Sequence, residues 1–414
     1  YLGEEWFDLW RRSLLYCKEL GMQCNIYDEN SYPSGFAGGH VPSVAPETAC
    51  QYVAMNIYSP SEQTPPNVLA AFRTRKKNGR VVWVMDVSHL PPARRSNGAP
   101  LMVFQLRRAA ASPWTGDFPY TDLTNPQTVK AFITTTHEQY RQHFGDEFGK
   151  TIRASFADEP LIGTTGAYEA AQTTLPLSQH TIAEFQRRYG YDIVKHLPSL
   201  FADVGDYRKV RFDYWQLLHH LWKENFMQPL GEWCGKHGLA LTGHYMEHEW
   251  PAPFITPDDM SLYACMQIPG IDLLLTTLLK PDRRYDGYSL INDDTHILLT
   301  MRMLLSAVNQ LGKSRALAEM WGAGGWDSTI EDYKRMGDWA LAHGINFFNP
   351  HLSYVTTRGA RKRDHPQSFS DHSAWWNEIR GLNDRIGRLS YILSQGTMQN
   401  RVLVLQPTTS AFLF

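Results

Sequence analysis

Residues 4–20 carry apolar side chains at helical spacing, and Gly21 ends that run before the β-prone stretch MQCNIYDE (22–29). A second helical pattern covers 126–144, with Asn125 placed to cap it and Pro126 in its first turn. The run TIRASF (151–156) predicts a strand. Helical patterns follow at 178–189 and 206–236, and after Gly238 the stretch LALTGHYME (239–247) predicts another strand. GIDLLL (270–275) is a shorter strand candidate. A helix at 294–311 ends at Gly312 before the strand SRALAEMWG (314–322). A helix at 328–343 ends at Gly344 before the strand INFFNPHLSY (345–354), and a last helix spans 372–394 and stops near Gly396.

Strands and helices alternate, and the strands are apolar on both faces. That pattern requires a parallel sheet covered by helices. About six strands fit, and a closed (β/α)8 barrel is the architecture that suits them, with a first strand expected before residue 1. Residues 51–112 break the alternation with β-prone pieces (VLAAFRTRK, RVVWVMDV, LMVFQLRR), which read as an antiparallel insertion after the second strand. The expected organisation is thus a barrel from 1–50 and 113–396, a β-rich insertion at 51–112, and the start of a following β domain at 397–414, where RVLVLQ reads as a strand. Both ends of the chain read as cut. No internal repeat or low-complexity segment is visible.

Composition narrows the function. The chain has 414 residues and a formal net charge of −2, so no basic block suggests a nucleic-acid partner; RTRKK (73–77) is too short. No apolar run approaches the length of a membrane span. No signal peptide is visible, which says nothing about compartment when the ends read as cut. The five cysteines are scattered without a paired spacing, so neither a zinc knuckle nor a disulfide framework is readable. Aromatic residues make up 13%, a surplus that suits stacking on sugar rings.

The polar residues at strand ends carry the chemistry. The expected C-terminal ends hold Asp28 and Glu29, then Asp158 and Glu159, then His244, Glu247, His248 and Glu249, then Glu319, and finally His351 and Tyr354. Barrels of this class form their active sites at that face. Carboxylates, aromatic residues and the lack of a nucleotide-binding loop suit acid–base hydrolysis of a glycosidic bond, which needs one protonated and one ionised carboxyl group. Glu159 is the candidate acid. Asp158 beside it points the opposite way in an extended strand and supports it, unless the pair caps the next helix. Glu319 is the second carboxylate unless it sits in a buried salt bridge, and Trp321 offers an apolar wall. His244 with Glu247 or Glu249 would bond sugar hydroxyls. HYMEH also matches an inverted zinc-protease pattern, but that pattern works on a helix and this segment follows a strand. Asp28 and Glu29 could bind substrate or a hard cation through oxygen.

Together YDENSYPSGFAGG (27–39), FADEP (156–160), GHYMEHE (243–249) and AEMWGAGGWDSTIEDY (318–333) resemble glycoside hydrolase family 106, the α-L-rhamnosidases, and related bacterial glycoside hydrolases. The resemblance covers nearly the whole chain. It implies a catalytic (β/α)8 barrel in a secreted or periplasmic bacterial enzyme acting on plant-type polysaccharide, with inversion and with assistance from calcium. It maps the acid onto Glu159 and the base onto Glu319. The chain departs from the family at DENSYPSG, where rhamnosidases more often show a Gly-Trp pair before the proline. The remaining alternatives are a retaining glycosidase with Glu319 as nucleophile, a non-catalytic carbohydrate-binding barrel, and a metal-dependent hydrolase built on His244 and His248. The sequence leaves the bound metal and the oligomeric state unknown.

Overall fold

A computed structural model of the chain describes residues 1–163, 173–247, 253–274, 294–322, 324–363, 365 and 367–413. Among them, eleven strands divide between two sheets. In chain order they are β1 (Ile26–Tyr27), β2 (Gln51–Tyr58), β3 (Ala70–Lys77), β4 (Arg80–Asp86), β5 (Leu101–Arg108), β6 (Ala154–Asp158), β7 (Thr174–Pro176), β8 (Ala240–His244), β9 (Ile268–Leu273), β10 (Leu317–Met320) and β11 (Phe347–Pro350). The parallel sheet runs β1-β6-β8-β9-β10-β11, and the antiparallel one runs β4-β3-β5-β2-β7.

The parallel strands are apolar on both faces, as a sheet covered by helices requires. All four residues of β10 are buried, and Leu241, Ile271 and Ala318 on neighbouring strands have no solvent exposure. The helices start and stop where local chemistry directs. Asn125 accepts from Gln127 N–H at 3.0 Å and caps the helix from Pro126. Ser178 and Thr329 form reciprocal capping boxes, and Gly344 closes the helix Ile330–His343 at φ 112°. Both long helices expected at 126–144 and 206–236 persist but pass through a π turn, at Ile133–His137 and Lys223–Met227.

The structure alters three expectations and leaves the closed barrel unconfirmed. β1 and β11 are the sheet's edges and do not pair with each other, so the described strands form an open parallel wall rather than a closed barrel of eight. The antiparallel sheet follows β1, the strand counted second from the sequence, but it is not confined to 51–112. β7 joins it through β2, with Leu175 opposite Val53. RVLVLQ forms no strand. Val402 to Leu405 are 78–83% exposed and pair with no described strand, so no ladder forms there. The strand expected at 270–275 is Ile268–Leu273, and residue 275 lies outside the described residues. No described helix is long and apolar enough to cross a membrane.

β6 and β8 approach closely because residue 243 has no side chain. A Cβ there would lie 1.9 Å from the Ala157 carbonyl oxygen, and φ is +123°. Gly243→Ala is therefore expected to lower folding stability by roughly 3 kcal/mol or more, or to prevent soluble folding, because backbone must move and the φ is unfavourable to any Cβ. Denaturant unfolding of the variant beside wild type measures this.

Candidate active site

The parallel register sets the site. Asp158 lies opposite His244 across β6 and β8, and Asp272 lies opposite Glu319 across β9 and β10. Strand alternation predicts that Asp158 and Glu159 face opposite ways. They do not, because β6 ends at Asp158 and Glu159 takes φ +47°. That left-handed residue swings its carboxylate back toward the same imidazole. The Glu159 N–H bonds the His244 carbonyl at 3.2 Å and fixes the turn.

His244 stands at the centre, 1% exposed. Its Nε2 is 2.6 Å from Glu319 Oε2 and 3.7 Å from Asp158 Oδ1, and its Nδ1 is 3.6 Å from Glu159 Oε1. Burial alone would make the ring less basic, but Glu159, Glu319 and Asp272 outweigh it and favour the imidazolium. Asp158 is pushed up to about 7 by burial, with His244 opposing and Glu159 and Glu319 adding to the rise. Burial also pushes Asp272 well above the usual carboxylate range. Asp158 and Asp272 thus hold a proton more readily than free carboxyl groups do, beside an imidazole favoured as its cation. A protonated carboxyl beside an ionised one is what acid–base cleavage of a glycosidic bond uses.

Of the predicted residues, the structure brings Asp158, Glu159, His244 and Glu319 together. His351 stands close by, where Glu319 opposes the effect of burial on its ring. The others serve elsewhere. Glu29 is enclosed by its own loop, and its carboxylate accepts backbone N–H bonds from Asn30, Gly35, Ala37 and Gly38 at 2.6–3.0 Å. Asp28 is fully buried and accepts from Ser34 Oγ at 2.6 Å. It lies 4.0 Å from His137, but burial raises the acid and lowers the imidazole to about 3, so the pair is neutral rather than ionic. Glu247 accepts the N–H of Tyr245 at 2.8 Å and of Asp272 at 2.7 Å, and so ties the end of β8 to β9 instead of reaching a sugar. Trp321 is 1% exposed and packs on Tyr333, Phe348 and Phe369; it borders a cavity of about 650 Å³ near the other end of the sheet, with Asn25, Arg315 and Asn346. Tyr354 donates to the His365 carbonyl at 3.0 Å within the loop after β11. His248 and Glu249 lie outside the described residues, and the segment leading to them is a strand, not a helix.

Sequence reasoning missed three participants. Asp272 was legible as a lone charge inside GIDLLL, since a buried acid without a purpose is costly. Tyr27 and Tyr32 gave no signal beyond their loop. The Tyr27 hydroxyl donates to Asp158 Oδ2 at 2.6 Å, and that of Tyr32 donates to Glu159 Oε2.

Calcium does not fit these side chains. Donor atoms of Asp158, His244 and Glu319, and of Glu159, His244 and Asp272, fall within 4.8 Å of one another. Both trios share His244, and a hard cation wants six to eight oxygens rather than a nitrogen. Glu29 is already engaged by its loop, and Asp28 is fully buried with one oxygen held by Ser34. No step is assigned to a metal.

A family model described as alpha-L-rhamnosidase matches residues 117–409. A curated protein of Formosa agariphila, provisionally named a beta-glucuronidase, is 22% identical over 474 aligned positions, covering 98% of this chain and 37% of that protein. The chain thus spans little more than a third of that relative's length. The structure of a rhamnosidase from Novosphingobium sp. PP1Y aligns with TM-score 0.52 and 19% identity over 77% of this chain and 31% of the other, a likeness of fold.

The raised Asp158 has a consequence for stability. Its folded value near 7 exceeds the unfolded value near 4, so between those pH values the folded state holds the extra proton. This contribution is complete below about pH 4 and is lost as pH rises toward 7. His137 and His219, both lowered to about 3 by burial, slope the opposite way. They cancel in a comparison with Asp158→Asn. The stability of wild type minus variant, from thermal unfolding, should fall by an amount on the order of 2 kcal/mol between pH 5 and 8. A flat or rising difference contradicts this.

Proposed function

Because the chain belongs to the α-L-rhamnosidase family of glycoside hydrolases, we propose that it hydrolyses a terminal α-L-rhamnoside-like sugar from a plant-type oligosaccharide or polysaccharide, with Glu159 as general acid and Glu319 as general base. One observation carries this reading: Glu159, just past the tip of β6, and Glu319, on β10, face the two nitrogens of a single imidazole. Glu159 gives its proton to the glycosidic oxygen as the bond to the anomeric carbon breaks. Glu319 draws a proton from water attacking the opposite side. A whole imidazole ring between the two carboxyl groups supports the wider spacing of inverting enzymes, roughly 6.5–9.5 Å, over the about 5–5.5 Å of retaining ones.

The charge of the site favours a neutral sugar. Among the described residues the charged groups that meet there are four carboxylates and one histidine. A uronic acid would bring a fifth carboxylate to that face at a Coulombic disadvantage. This weighs against extending the beta-glucuronidase name of the Formosa agariphila protein to this chain. The same reading completes the parallel wall as a (β/α)8 barrel, since all six strands run the same way and both edges are open to pairing.

Aryl glycosides test the proposal. Wild type should release 4-nitrophenol from the α-L-rhamnoside and much less from the β-D-glucuronide. Glu159→Gln should lose roughly 10²–10⁴ of kcat, the usual contribution of general acid catalysis, while still binding sugar. Proton NMR of the first-formed sugar should show the inverted anomer. A retained anomer transfers Glu319 to the role of nucleophile, and full activity in Glu159→Gln removes the acid assignment.

A further inference from the structure

The loop after β1 is a rigid frame built around one carboxylate. Besides its closer partners, Glu29 accepts longer bonds from the N–H groups of Ser31 and Phe36 at 3.4 and 3.2 Å. Ser34 fastens the frame to the tip of β6: its N–H donates to the Asp158 carbonyl at 2.7 Å, and its Oγ accepts the Asp158 N–H at 2.8 Å. The Tyr120 hydroxyl holds the Ser34 carbonyl at 2.7 Å from the other side. Residue 32 stands inside this frame, so its direction is set before any substrate arrives.

Tyr32 donates its hydroxyl proton to Glu159 Oε2, while Oε1 lies 3.6 Å from His244 Nδ1. The two oxygens are therefore not equivalent. A hydrogen bond accepted at Oε2 makes that oxygen the less basic of the two and so favours placing the transferable proton on Oε1. It also strengthens as negative charge develops on the carboxyl group.

We propose that Tyr32 is the positioning residue of the general acid: it fixes Oε2 of Glu159, presents Oε1 to the leaving group, and stabilises the carboxylate formed as the proton departs. The step balances. The proton passes from Oε1 to the glycosidic oxygen, the bond between that oxygen and the anomeric carbon breaks, and the charge left on Glu159 is met by the Tyr32 hydroxyl. This rests on the assignment of Glu159 as acid. Among the described residues, the titratable groups facing Glu159 are Tyr32 from the loop, Asp158 on β6, His244 and Glu247 at the end of β8, and Asp272 on β9, with Glu319 across the imidazole.

Tyr32→Phe keeps the ring and removes the donor. Infrared titration of protein labelled with ¹³C-carboxyl glutamate follows Glu159 without a substrate, its band identified by its loss in Glu159→Gln. The band should titrate about one pH unit higher in Tyr32→Phe, because the donor favours the ionised form. An unmoved titration overturns the proposal. The second readout is hydrolysis of two rhamnosides, one with a phenol and one with 2,4-dinitrophenol as leaving group. Tyr32→Phe should lose about tenfold in kcat on the first, with KM unchanged, and almost nothing on the second, whose departure needs no proton. Equal losses on both mark a merely structural role and also overturn it. If the band shifts but Glu159→Gln keeps its turnover, the acid assignment has failed while the contact itself stands.

Discussion

Four carboxylates cannot occupy one buried pocket as four anions, and the imidazole of His244 is the group that lets them meet. Its Nε2 bonds Glu319, and both nitrogens stand within 4 Å of carboxylate oxygens from β6. Everything else in the site serves this arrangement. Gly243, just before His244, allows β6 and β8 to pack without a Cβ between them. The left-handed backbone at Glu159 turns a side chain that an extended strand would have pointed away. The register of β9 with β10 brings Asp272 level with Glu319.

The buried acids fall into two kinds, distinguished by how many donors surround them. Glu29 and Glu247 are surrounded by backbone N–H groups and act as fasteners: one shapes the loop after β1, the other joins the end of β8 to the N–H of Asp272. A carboxylate so satisfied has little left for a sugar hydroxyl. Asp158, Glu159, Asp272 and Glu319 instead face one another and an imidazole. Burial raises Asp158 to about 7 and Asp272 well above the usual carboxylate range, so the pocket can hold a proton on a carboxyl group near neutral pH. The fasteners hold the loop after β1 and the end of β8, from which the residues around His244 project.

The family model begins at residue 117 and takes in every strand of the parallel wall except β1, with the helices between them. The antiparallel sheet is built mainly from residues before that match, and only β7 crosses into it. The wall is thus the part on which the catalytic reading stands.

Much of the architecture was readable from the chain alone. Glycines at 238, 312 and 344 mark the ends of helices, Asn125 marks a start, and the apolar runs between them are the strands of the parallel sheet. These are decided over a few residues by steric limits and local hydrogen bonds. The acid pairs were also visible, yet DE at 28–29 and DE at 158–159 look alike in sequence. One pair is enclosed by its own loop and the other opens onto His244. Trp321 read as a pocket wall and is core, because three aromatic rings unseen in its local pattern close over it. Local sequence determined which residues are helix, strand or strand tip. Only tertiary structure decided which tips meet, since Glu319 reaches His244 across 75 residues and Tyr32 reaches Glu159 across 127, and sheet register, not composition, sets distances over such separations.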